Sequence, residues 1–314
     1  MRFDLLDVLR GGLAAAALVL TTSWLVGRLG DWARRRGLVD RPTARSSHVR
    51  PTPRLGGVAI LLMVSGPALA GAGPLGPGRS TWPILCLLGL AVGLISLLDD
   101  LRGLPALFRL GTHLAVACGV LASAGTIGSL WLPGGLELEL GPADVPLSLL
   151  WIVGCINAFN FMDGIDGLAG GQAVVLGLAW LVIGWHLPSQ ELLVLGLLIA
   201  CSATGFLLHN WSPARVFMGD AGSAFLGYWA AVAPFCSQRP GRLLVPAVLT
   251  VWPFLFDTLL TLLGRVRRGE PLLVAHRGHL YQRLVISGAS HAEVALAYIA
   301  LAACGAAAAA TCAS

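Results

Sequence analysis

The sequence has no lysine and little charge of any kind. Its 21 cationic side chains are all Arg, its acids number 16, and charged residues make up 12% of the 314. A soluble domain carries about twice that share of charge. No polar stretch is long enough to form a soluble domain of its own. Residues 1–314 therefore read as one integral membrane domain. The seven Cys are scattered through apolar segments, with no C-x-x-C and no Cys/His ligand spacing. That excludes a zinc site or redox motif and leaves them as small buried apolar residues. No internal repeat and no low-complexity linker is present. The net charge of +5 is attributed to membrane topology, not to nucleic-acid binding.

What the chain has is apolar length: 56% of it is hydrophobic. About 20 apolar residues cross a bilayer as a helix. Ten spans are expected, at 5–27, 56–73, 82–98, 110–128, 146–162, 168–186, 191–209, 222–237, 243–264 and 291–311. The fold class is an all-α polytopic membrane protein. The first span lacks an A-x-A cleavage site and is followed by more spans, so it reads as a retained helix and not a signal peptide. Segment 129–145 alternates Leu136, Glu137, Leu138, Glu139 and Leu140 after Pro133-Gly134-Gly135, the pattern of a small β-hairpin.

Ten spans divide the loops into two sets. Loops 28–55, 99–109, 163–167, 210–221 and 265–290 hold 16 Arg; the other set, with both termini, holds five. The positive-inside rule places the first set in the cytoplasm and both termini and the hairpin outside. Most of the conspicuous acids then fall on the cytoplasmic side.

Acids at membrane depth are costly and usually functional. Asp99-Asp100 end an apolar run; two adjacent carboxylates repel unless a cation neutralises them. Arg109 opens the next helix and either faces a phosphate or snorkels to lipid headgroups. The segment Asn157-x-x-Asn160-x-x-Asp163-x-x-Asp166 is the strongest local signal. Asn157 and Asn160 share a helix face, and amide and carboxylate oxygens are the hard ligands Mg²⁺ prefers. Asp220, in Met218-Gly219-Asp220-Ala221-Gly222-Ser223, is placed to cap the next helix or to bind metal. Asp257 lies within a span with no local partner, and structural and functional roles stay open. The basic loop around Arg54 and the segment His276-Arg277-Gly278-His279 offer cations to anions. His113, His186, His209 and His291 sit in or at the ends of spans and read as packing or interface residues.

In this order, these motifs resemble the polyprenyl-phosphate N-acetylhexosamine-1-phosphate transferases (glycosyl transferase family 4). The resemblance runs from about residue 38 to 285. Within that superfamily, Arg45-Ser46-Ser47-His48 followed by Pro51-Thr52-Pro53-Arg54, and His276-Arg277-Gly278-His279-Leu280-Tyr281-Gln282, look like the branch that starts O-antigen and related polysaccharides. That branch is not the peptidoglycan-precursor enzyme.

The resemblance implies a ten- or eleven-helix fold in the bacterial cytoplasmic membrane, its active site facing the cytoplasm. It implies transfer of an amino-sugar 1-phosphate from a UDP-N-acetyl-amino sugar to undecaprenyl phosphate, with Mg²⁺ as cofactor and Mn²⁺ as an alternative. It assigns metal binding to Asn160 and Asp220, and catalysis to Asp99, Asp100, Asp163 and His279. It assigns substrate contacts to Asn157, Asp166, Arg109, His276, Arg277 and Arg54. The expected partners are the two substrates and the lipid bilayer, with no nucleic acid; a homodimer is compatible. The competing class is a membrane carrier, which also uses intramembrane acids and broken helices. Against it, the acids cluster at one face and no inverted repeat is seen.

Overall fold

The computed structural model describes residues 5–41, 51–70, 81–132, 134–271 and 276–313, with side chains from residue 9 to 312. Among them the chain forms α1 (Leu5–Arg35), α2 (Gly56–Leu69), α3 (Trp82–Arg102), α4 (Ala106–Ala124) and α5 (Asp144–Phe161). These are followed by α6 (Leu168–His186), α7 (Gln190–Asn210), α8 (Asp220–Val232), α9 (Pro240–Arg267), α10 (Leu280–Ile286) and α11 (His291–Ala313). Each of the ten expected spans contains a helix, and the seven-residue α10 is an addition. Eight helices are long and apolar enough to cross a membrane.

Of the two short ones, α2 and α8, the second has a physical reason to be short. Every residue of α8 from Ala221 to Val232 is buried, with α2, α3 and α5 packed around it. A helix sealed inside the bundle has no lipid to match. A 3-10 turn, Ala233–Cys236, extends it, giving about 28 Å in all. Its N-terminal half is small, and Gly57 of α2 packs directly on Gly222. Its C-terminal half carries Tyr228 and Trp229, edge-on with centroids 5.3 Å apart, and Tyr228 OH donates to Leu85 O at 2.7 Å.

Several boundaries differ from expectation. α1 continues through the polar stretch to Arg35, where Asp31 and Arg34 pair at i,i+3. α4 starts at Ala106, so Arg109 sits inside its first turn. α9 spans 28 residues with Pro246 and Pro253 inside it.

Two small antiparallel pairs complete the structure. The expected hairpin is present as β3 (Ser129–Leu132) and β4 (Leu136–Glu139), with Leu130 opposite Leu138. A second pair, not foreseen, joins β1 (Val39–Asp40) to β2 (Thr52–Pro53). Two-residue strands leave no period to read in a sequence. From β2 the chain runs alongside 217–218. Phe217 N donates to Pro53 O, Gly56 N to Phe217 O and Gly57 N to Met218 O, at 2.8, 2.9 and 2.8 Å.

The helices alternate up and down. At one end of the bundle meet the C-terminal ends of α1, α3, α5, α7 and α9 and the N-terminal ends of α2, α4, α6, α8 and α11. The links are Gly30 against Val216, Asp100 and Arg109 with Asp220, Asn160 with Ser223, Gly167 with Asn210, Asp257 with His279 and Asp166 with His291. The five loops expected on one side, where described, therefore do share one face. The hairpin lies at the other end, where β3 packs on the start of α9 and Arg242 stacks over Trp131 at 4.9 Å.

Candidate active site

The turn between α3 and α4 builds the first wall. Gly103, at φ 68, ends α3 in the left-handed conformation and donates to Asp99 O at 2.8 Å. Glycine adopts this without a Cβ penalty. Asp99 Oδ1 accepts from Leu104 N at 2.5 Å. Its Oδ2 accepts from Arg109 Nη1 at 2.8 Å. The same Nη1 reaches Asp220 Oδ2 at 3.2 Å. One guanidinium nitrogen thus bridges two carboxylates from segments 121 positions apart in sequence.

Asp100 points the other way. Its Oδ1 accepts from Asp220 N at 3.1 Å and its Oδ2 from Ala221 N at 3.0 Å. It caps α8 from another helix, satisfying two amides that the helix itself leaves unpaired. Gly219 makes this approach feasible: at φ 76, a Cβ there would lie 2.8 Å from Asp100 Oδ2. Arg54 donates to Asp100 O at 2.5 Å, tying β2 to the same corner. The side chain of Asp220 is therefore not a cap; it is free to face Arg109.

α5 supplies the second wall. Asn160 Nδ2 donates to Ser223 Oγ at 3.0 Å, and its amide also reaches Asp220. Asn157 Nδ2 donates to Val153 O at 2.7 Å and lies 3.3 Å from His113 Nδ1. His113 is one helical turn beyond Arg109 on α4. The third wall is the last loop, with His276 and His279 stacked at 5.1 Å between centroids.

These walls enclose a cavity of about 330 Å³ lined by Asp99, Arg109, His113, Asn157, Asn160, Asp220, His276 and His279, among others. Seven of the twelve residues expected at the site line it. Asp100, Arg54, Asp163, Asp166 and Arg277 do not. Asp163 stands just behind, close enough to Asp220, Asp100 and Asp166 to feel their charge. Burial, with those carboxylates adding repulsion, pushes it up to about 8. Asp166 is held elsewhere: its Oδ2 accepts from Ala214 N at 3.1 Å and meets His291 Nδ1 at 3.3 Å. Burial opposes its ionisation, but the bonds from His291 and Ala214 outweigh that and keep its carboxyl below the ordinary value. Arg45 and His48 lie outside the described residues.

Two readings of isolated histidines are corrected. His113 lines the cavity, and His291 is the partner of Asp166. Each partner lies 44 or more positions away, so no local signal marked them. His209 does have a packing role, 2.9 Å from Ser23 Oγ. Asp257 also finds its partners: His279, Leu280, Tyr281 and Tyr298.

Among the described residues no three His, Cys, Asp or Glu side chains converge as a complete metal cage. The donor set nonetheless suits a divalent ion shared with a substrate. Asp220 and Asn160 supply hard oxygens beside one another, and Mg²⁺ is commonly held by one or two protein oxygens plus substrate phosphates. Arg109 Nε is buried with no acceptor, a donor that an anionic oxygen can satisfy.

The chain is similar to known proteins over most of its length. Residues 82–237 match the family described as Glycosyl transferase family 4. The chain is 33% identical to the Probable undecaprenyl-phosphate N-acetylglucosaminyl 1-phosphate transferase of Bacillus subtilis, over 81% of this chain and 72% of that protein. It is 33% identical to the Decaprenyl-phosphate N-acetylglucosaminephosphotransferase of Mycobacterium tuberculosis, over 91% and 77%. It is 36% identical to a Phospho-N-acetylmuramoyl-pentapeptide-transferase of a Synechococcus species, over 69% and 65%.

Proposed function

The chain belongs to glycosyl transferase family 4, among the polyprenyl-phosphate sugar-1-phosphate transferases, and from that premise we propose that it moves N-acetylglucosamine 1-phosphate from its UDP-sugar to undecaprenyl phosphate. The products are UMP and a lipid-linked diphospho-sugar that begins a cell-surface polysaccharide, of the O-antigen type or a related one. The sugar follows the names of the relatives. The observation that carries the chemistry is the convergence of Asp99, Arg109, Asn160, Asp220 and His279 on one cavity at the Arg-rich end of the bundle.

In this reading Asp220 and Asn160 hold Mg²⁺, or Mn²⁺ in its place, against the nucleotide diphosphate. The ion would neutralise charge on the phosphates and on the departing UMP. Arg109 keeps Asp99 and Asp220 at a fixed separation and offers its unpaired Nε–H to a phosphate oxygen. Asp99 lines the place where the lipid phosphate meets the sugar-bearing phosphorus. A phosphate monoester with second pKa about 6 is already largely dianionic near pH 7. No carboxylate has to remove a proton for it to attack, and orientation supplies most of the rate. Asp166 and Arg277, outside the cavity, fit contacts to the more distant parts of the nucleotide. The excess of Arg in the loops of the first set supports, by the positive-inside rule, a site in the cytoplasm, where nucleotide sugars are found, with both termini on the other side. The carrier alternative loses ground because the acids gather at one end of the bundle instead of mid-membrane.

The test is UMP release by the purified protein with undecaprenyl phosphate, Mg²⁺ and a panel of UDP-amino sugars, with EDTA as control. Release that needs lipid, metal and UDP-N-acetylglucosamine is the expected result. Preference for another donor would replace the sugar and keep the reaction. A folded preparation that releases UMP from no donor would sink the proposal.

A further inference from the structure

Asp257 is the most heavily bonded acid in the described structure, and the reaction above makes no use of it. It lies within α9, with 0% of its surface exposed. Its Oδ1 accepts from Leu280 N at 2.8 Å and Thr261 Oγ1 at 3.2 Å, and meets His279 Nδ1 at 3.2 Å. Its Oδ2 accepts from Tyr281 N at 3.0 Å and Tyr298 OH at 2.7 Å. Five donors from α9, the last loop with α10, and α11 therefore fill one carboxylate. A carboxylate offers about four lone-pair sites, so none is left for a metal or a substrate.

His279 is the one donor among the five whose ring also lines the cavity. It is 4% exposed and stacked between His276 and Tyr281, at 5.1 and 5.8 Å. An ionised carboxylate only accepts hydrogen bonds. The contact at Nδ1 therefore requires a proton on Nδ1, which leaves Nε2 as the ring nitrogen available to the cavity.

We propose that Asp257 is a positioning residue for phosphoryl transfer, acting through His279: it fixes the proton on Nδ1 and turns Nε2 to the cavity, where the ring, on taking a proton from solvent, donates Nε2–H to a phosphate oxygen of the bound substrates. The proposal rests on the transferase reading of the cavity. It explains why an acid stands where the sequence shows none of its partners. It also separates the two histidines of the loop, because only His279 is held by a carboxylate.

Two measurements test it, both on the full chain in detergent. The first is a histidine-selective ¹⁵N spectrum, with His279→Gln identifying the signal. An Nδ1–H ring that changes in Asp257→Asn is expected. An Nε2–H ring in the wild-type protein overturns the proposal even if the variant fails to fold. The second is kinetic. Asp257→Asn and His279→Gln should each lower kcat by about 10- to 100-fold with little change in KM for the nucleotide sugar. The double variant should be within about 2-fold of His279→Gln alone, because one residue acts through the other. Losses that multiply would mean that Asp257 acts independently of the ring. Tyr298→Phe removes a donor from the same carboxylate without touching His279, and should cost less than about 3-fold. A loss as large as that of Asp257→Asn would show that the carboxylate merely fastens α11. Should the wild type show the Nδ1–H ring yet turn over no UDP-sugar, the transferase reading fails while the pairing stands.

Discussion

The two ends of this bundle use the same kinds of residue to different ends. At the hairpin end, Asp144 accepts from Gly128 N at 2.8 Å and from Thr126 Oγ1, and Ser129 donates to Glu137 at 2.7 Å. Each acid serves a turn within about 20 positions of itself, and no lining residue of the cavity comes from this end. At the opposite end, Asp100 and Asp220 meet partners more than 100 positions away, and Asp220 shares one guanidinium with Asp99. An acid near a membrane surface is thus not by itself a sign of chemistry. Convergence of acids from distant segments, with a cation between them, is.

The sharpest way to break this contrast is to neutralise acids within the converging set. Asp99→Asn should lower turnover by about 100- to 1000-fold, because the side chain lines the cavity and holds Arg109. Its melting temperature should move little. Asp100→Asn should behave differently. It keeps one accepting oxygen but sets an NH2 against the other amide of α8, so a stability loss of about 1–3 kcal/mol is expected along with the loss of activity. Paired assays of UMP release and thermal unfolding separate the two. Equal stability in both variants would erase the distinction between a cavity residue and a helix-capping one.

A smaller effect concerns pH. Burial, reinforced by Asp220, Asp100 and Asp166, raises Asp163 to about 8, against an ordinary value near 3.8. Between these values the folded state binds a proton that the unfolded state has released. Stability from this group is therefore complete below about pH 4 and is lost as pH rises toward 8. Asp163→Asn abolishes that dependence. In the absence of added metal, the variant should gain stability relative to the wild type on going from pH 5 to pH 8, read as the difference in melting temperature. A constant difference would show that Asp163 is already ionised at pH 5.

How much of this was legible beforehand follows from the range of each signal. The ten helices and the shared face of the Arg-rich loops were legible because hydropathy and charge asymmetry are sums over many residues. Asp99, Asn157, Asn160 and Asp220 stood out because acids and amides are scarce in so apolar a chain. The partnership of Asp257 with residues 279–281 and Tyr298 was not legible: a buried carboxylate in one helix says nothing of which loop will fold onto it. His113 and His291 were missed for the same reason. The central burial of α8 was also hidden, because its small residues look like those of any packed helix.

The smallest expected effect tests the other side of the comparison. Leu138 is exposed on β4 and pairs with Leu130 across the hairpin. Leu138→Ala removes a side chain that already faces outward, so the lost burial is slight and the loss in stability should stay below about 0.5 kcal/mol. The strand lies at the far ends of α4, α5 and α9, which run the length of the bundle before they reach Arg109, Asn157 and Asp257. Turnover should therefore stay within about 2-fold of the wild type. A large fall in activity with the melting temperature unchanged would mean that the hairpin end contributes to the reaction, and that the division of labour between the two ends is wrong.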